Sequence, residues 1–90
     1  MITLGQVVLV AAGDEAPPGR QVAAQHGRLV LAAGDATDDR CSIAAADAEL
    51  IETDACGVYL RVRRATQIEA GAQAAMEIHP GLYQVIRRQP

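Results

Sequence analysis

The stretch Glu77-Ile78-His79-Pro80-Gly81-Leu82-Tyr83-Gln84-Val85-Ile86-Arg87-Arg88 decides the fold. Pro80 presets its own φ, and Gly81 permits the positive φ that a type II turn requires next. Alternating residues follow, so the segment predicts a strand, a tight turn and a second strand. Within the second strand, Tyr83 and Val85 fall on one face, and Leu82 and Ile86 on the other. A hairpin is the expected form.

Upstream, Val58-Tyr59-Leu60-Arg61-Val62-Arg63 alternates cleanly. Val58, Leu60 and Val62 are assigned to a core, and Tyr59, Arg61 and Arg63 to a wet face. Asp54-Ala55-Cys56-Gly57 supplies a turn, which pairs this strand with Ala48 to Thr53. Nearer the start, Gln6 to Ala12 is a continuous apolar run with three valines, the pattern of a strand covered on both faces. Asp14-Glu15-Ala16-Pro17-Pro18-Gly19 is turn chemistry, and its two prolines exclude it from a sheet interior. Arg20 to Gln25 then reads as a short strand that reverses at His26-Gly27 into Arg28 to Ala33, a second hairpin.

Two segments read both ways. Ser42 to Glu52 has the propensities of a helix capped by Ser42. Asp47, however, stands four residues after Ile43, where a core-facing helix needs an apolar side chain, so two short strands broken near Ala46-Asp47 are the competing reading. Ile68 to Glu77 also has near-helical apolar spacing, weakened by Gly71. Taken as strands, these segments bring the count to eight or nine, mainly antiparallel. The fold class is all-β, a compact small barrel or sandwich.

Ninety residues predict a single domain over 1–90, because so short a chain buries only about 60 to 65% of its unfolded surface. Half the residues are hydrophobic, yet Phe and Trp are absent and Tyr59 and Tyr83 are the only aromatics. A core of small aliphatic pieces gains burial by self-association, so a homo-oligomer that buries apolar side chains of edge strands is expected. Net charge is −3, and every basic residue is Arg. Mild acidity argues against a general nucleic-acid binder. With the abundance of Ala, the Arg-only usage suggests a GC-rich bacterial genome. The start of the chain lacks a basic leader pattern, and no apolar run approaches the roughly 20 residues of a membrane span, so a cytoplasmic protein is expected. In that compartment Cys41 and Cys56 are expected to be reduced.

In their order along the chain, several pieces resemble a family of small uncharacterised proteins of bacteria and their phages. They are Gly5 to Val10, Gly27 to Ala32 with Gly34-Asp35-Ala36-Thr37, Ala48 to Glu52 with Tyr59 to Val62, and Pro80 to Arg87. The family pattern includes a Gly-Glu-Ala-Thr-Gly-His-Ala-His segment and a His-Glu-Glu-His segment before the Pro-Gly turn. Such histidine pairs imply metal ligands or general bases. This chain departs there, with Asp39 and Cys41 at the first pair and Ala70 and Gln73 at the second. The resemblance therefore implies a scaffold retained without its obvious chemistry, and it favours strands over Ser42 to Glu52.

Candidate sites are sparse. Asp35, Asp38, Asp39 and Cys41 offer ligand types for a divalent metal, but Thr37 and the missing Gly break the EF-hand pattern, and a solvated acidic loop is the ordinary reading. His26 and His79 each adjoin a turn residue, and neither cysteine has a local nucleophile signature. Tyr59, Arg61, Arg63 and Arg64, with Arg87 and Arg88, could line a face for single-stranded nucleic acid. An ordinary charged sheet face balanced by Glu49, Glu52 and Glu69 is the competing reading. No glycine-rich phosphate loop occurs, and no cofactor is indicated. The expected function is a non-enzymatic binding or structural module, with an unidentified protein or small ligand as partner.

Overall fold

The computed structural model describes residues 1–4, 7–32, 41–54, 57–70 and 73–87. These residues form ten antiparallel strands in two sheets. The strands are β1 (Ile2–Leu4), β2 (Val7–Ala11), β3 (Arg20–Gln21), β4 (Arg28–Ala32), β5 (Cys41–Ala44), β6 (Ala48–Glu52), β7 (Val58–Val62), β8 (Thr66–Ala70), β9 (Gln73–Ile78) and β10 (Gly81–Arg87). The larger sheet runs β1-β2-β10-β7-β6-β3 and the smaller β4-β5-β8-β9. The fold is thus all-β and a sandwich rather than a closed barrel, because turn signals count strands without saying whether a sheet closes on itself.

The inner layer is aliphatic. From the larger sheet, Val7, Leu9, Leu50, Leu60, Val62 and Val85 meet Leu29, Leu31, Ile43, Ile68 and Ile78 of the smaller, all at most 7% exposed. Each large aliphatic side chain buried there contributes about 1.5 to 3 kcal/mol. The alternation read in β7 is the one that builds this layer, since Leu60 pairs with Leu50 and Tyr83, and Val62 with Ala48. Ser42 to Glu52 is two strands broken by a turn over 45–47, and no helix forms over 68–77, which β8 and β9 occupy outside the undescribed 71–72.

Of the three expected hairpins, β6–β7 forms as read, with Ala48 registering with Val62 and Glu52 with Val58, and the other two are corrected in the same way. The turns are present, but each carries the chain from one sheet to the other. Pro80-Gly81 joins β9 of the smaller sheet to β10 of the larger. Gly81 takes φ 153°, an extended positive φ open to glycine and unlike the value near +80° of a type II turn. Beside it, the Tyr83 hydroxyl donates to the His79 carbonyl at 2.9 Å. Likewise His26 (φ 53°) and Gly27 (φ 77°) make the tight reversal, with only an isolated bridge between Gln25 and Arg28. The strand before it stops at Gln21 and pairs with β6 instead of β4. Gly19 permits that docking, since a Cβ there would lie 2.6 Å from the Glu52 carbonyl oxygen.

No helix is long and apolar enough to cross a membrane among the described residues.

Candidate functional site

The two outward faces of the sandwich are chemically unlike. On the smaller sheet, Arg28, Ser42 and Glu69 occupy neighbouring strands, since Val30 registers with Ser42 and Ser42 with Glu69. Arg28 Nε donates to Ser42 Oγ at 3.0 Å, its terminal nitrogen donates to the Ser42 carbonyl at 3.1 Å, and that nitrogen lies 3.7 Å from Glu69. Ser42 is buried on this face, and its hydroxyl oxygen has a partner in Arg28 Nε, as a buried polar atom requires.

On the larger sheet, register fixes which side chains point outward. Val8 pairs with Ile86, Val10 with Gln84, Gln84 with Tyr59, and Tyr59 with Ile51. All lie opposite in parity to the core residues Leu9, Val85, Leu60 and Leu50. One row further, Leu82 pairs with Arg61 and Arg61 with Glu49. The outward face therefore carries Val8, Val10, Ile51, Tyr59, Leu82 and Ile86, where an antiparallel sheet facing water ordinarily alternates to polar residues. Val8 and Leu82 are each 5% exposed yet stand apart from the inner core cluster, while Ile86 is 43% exposed.

A single ion pair is set into this face, with Arg61 Nε 3.3 Å from Glu49 Oε1. That Nε is buried and makes no hydrogen bond among the described residues. A cleft of about 310 Å³ opens at the corner of the face, lined by Asp14, Arg61, Arg63, Gly81 and Leu82 among others. Its size is at the lower end of small-molecule sites.

The residues singled out in the sequence are dispersed. Tyr59 and Arg61 share the outward face. Arg63 lines the cleft, but its terminal nitrogen donates to the Ala48 carbonyl at 3.1 Å, tying down the β5–β6 turn. Arg64 is spent on an ion pair and hydrogen bond with Asp47, and with a hydrogen bond from Thr66 it holds the Asp47 carboxyl below its usual pKa. Arg87 has the parity of Val85, on the inner side, and its Nε donates to the Leu31 carbonyl of the smaller sheet at 2.7 Å. Tyr59, Arg61, Arg63 and Arg87 thus do not form one surface. Arg88 and Cys56 lie outside the described residues, as do Asp35, Asp38 and Asp39 of the acidic loop. Cys41 is buried, and that burial pushes its thiol up to about 11. At neutral pH it is a protonated core side chain and a poor ligand or nucleophile.

The family described as a domain of unknown function, DUF8820, matches residues 4–89. The chain belongs to that family. No curated protein and no solved structure matches it. In this DUF8820 domain the apolar outward residues are what the sequence reading missed as a site. Their signal was present in β2, whose unbroken apolar run supplies Val7 and Leu9 to the core and Val8 and Val10 to the outer face.

Proposed function

We propose that the domain is a non-enzymatic binding or structural module that works through the outward face of its six-stranded sheet. One observation carries the reading: that face groups Val8, Val10, Ile51, Tyr59, Leu82 and Ile86 around Gln84 and one internal ion pair, while the polar side chains of the opposite outward face are joined as Arg28, Ser42 and Glu69. Large exposed apolar patches on soluble proteins mark interaction surfaces. The Arg-only, Ala-rich composition supports a bacterial origin, the resemblance to proteins of bacteria and their phages supports a mobile element, and cytoplasmic residence is part of the proposal. The test is a methyl proton–carbon spectrum with and without a soluble paramagnetic chelate, recorded beside the native mass. Ile51 and Ile86 methyls are expected to be open in the isolated protomer and shielded whenever the native mass shows a bound partner. A bound state in which they stay as open as in the protomer would overturn the reading.

A second reading has its own support. Three of the four positions at which the resembling family carries histidine are lateral neighbours here, because Cys41 registers with Ala70 and Ala70 with Gln73. Two segments distant in sequence therefore meet in one row of the smaller sheet, which favours descent from a metal-binding ancestor. Combining Asp39→His, Cys41→His, Ala70→His and Gln73→His is expected to weaken the apo fold by overpacking, and zinc is expected to restore it. No zinc-dependent gain in thermal midpoint would contradict this reading.

A further inference from the structure

We infer that the occupant of the apolar outward face is a second copy of this chain, packed sheet to sheet. This rests on the proposed role of that face and goes further by naming what covers it. Area is the first argument. The six strands hold 27 residues (3, 5, 7, 5, 5 and 2), and at about 4.8 Å by 3.3 Å per residue they give roughly 430 Å² in flat projection. A specific contact begins at about 500 Å² per partner, so the face is near the lower limit and a stable dimer has to use nearly all of it.

Charge is the second argument. The chain carries a net charge of −3, so most contacts between copies would set like charges together. On this face the Glu49 carboxylate is matched by the Arg61 guanidinium 3.3 Å away, and the corner cleft adds one carboxylate, Asp14, and one guanidinium, Arg63. Two copies therefore meet there without net repulsion, and excluding water strengthens the attraction within the pair. A nucleic-acid occupant would need free cations, whereas Arg61 is matched by Glu49 and Arg63 donates to the Ala48 carbonyl.

The alternative route, pairing of sheet edges, is blunted at every edge. The larger sheet ends in strands of three and two residues, β1 and β3. The smaller sheet ends in β4 and β9, each broken by a register shift. In β4 the extra residue is Leu31, whose carbonyl is taken by Arg87. Short and bulged edges are the usual protection against strand addition. A face-to-face dimer leaves all of them as they are. It also gives a domain lacking Phe and Trp a second apolar layer, with the sheets about 10 Å apart as in any sandwich.

The experiment is sedimentation equilibrium from micromolar to about millimolar protein. It compares the wild type with Tyr59→Glu and Ile86→Glu on the face, Met76→Glu at the β9 edge, and Gln67→Glu on the polar face. A dimer weakened at least tenfold by each face variant and unchanged by the other two is the expected result. A dimer broken by Met76→Glu and indifferent to the face variants would overturn both the inference and the binding role of the face. A wild type that stays monomeric throughout, with Ile51 and Ile86 methyls open to solvent, would overturn the second copy as occupant while leaving the face available to another partner.

Discussion

The two outward faces come from one chain with one strand-to-strand alternation, and they solve the same problem in opposite ways. The smaller sheet covers its single buried hydroxyl, Ser42, with Arg28 and pairs that guanidinium with Glu69. The larger sheet places the half-buried Tyr59 between Gln84 and Ile51 and leaves Ile86 43% exposed, so these outer side chains lose free energy in water that they would recover under a cover. The difference teaches that in a small sandwich the inner layer and the working surface can be built from the same aliphatic residues, distinguished only by strand parity.

The contrast can be broken most severely through its own strand. Leu60→Ala empties the inner side of β7 and is expected to cost about 2 to 5 kcal/mol in denaturant unfolding, the range for core truncations. By contrast, Ile86→Glu, on the outer side of the adjoining β10, is expected to change the stability of the dilute protein by less than about 1 kcal/mol. If the two were equally costly, the outer face would be part of the core and no surface at all.

On the polar face the decisive change is Arg28→Ala. Ser42 then loses its donor and part of its cover, at an expected cost of about 1 kcal/mol. Adding Ser42→Ala should return part of that loss, which a double-mutant cycle measures directly. A silent Arg28→Ala would mean that Arg28, Ser42 and Glu69 are not joined as described.

A smaller effect distinguishes the faces by mass action. The thermal midpoint of the wild type should rise by a few degrees with protein concentration, since a dimer that forms only from folded chains stabilises them. In Ile86→Glu that dependence should vanish, and in Gln67→Glu it should persist.

The smallest effect lies at the β5–β6 turn, where the chain passes from one sheet to the other. Hydrogen bonds from Arg64 and Thr66 lower the pKa of Asp47 in the folded state. Its contribution is therefore present above the ordinary carboxylate pKa and is lost as pH falls through the lowered folded value. Asp47→Asn should flatten part of the acid limb of the stability profile and leave neutral-pH unfolding only slightly changed. An unaltered acid limb would show that the pairing with Arg64 carries no linkage.

Much of the fold was legible because β-strand burial has a period of two. Val58, Leu60 and Val62 announced the inner side of β7, and Asp47 in the wrong place for a helix announced the break between β5 and β6. Sheet membership was not legible. Pro80-Gly81 and His26-Gly27 specify that the chain reverses, but a reversal within a sheet and a crossing between sheets use the same turn residues. Only long-range packing decides between them, as when β3 pairs with β6 and Gly19 approaches the Glu52 carbonyl. The surface was half legible. The apolar run of β2 already demanded cover on both sides, but Ile51, Tyr59 and Ile86 join it only through the register of β10 and β7. Arg87 looked like a companion of Arg61 until its parity with Val85 placed it on the inner side.

The most direct measurement is an isotope-filtered NOE experiment on a mixture of carbon-13-labelled and unlabelled protein at about millimolar concentration. Tyr59 and Tyr83 are the only aromatic residues, so ring signals can be assigned without crowding. Contacts between the Tyr59 ring of one copy and the methyl groups of Val10, Ile51 or Ile86 of the other are predicted. Contacts confined to Met76 or Val30, or none from the Tyr59 ring, would contradict the claim that the apolar outward face is where two copies meet.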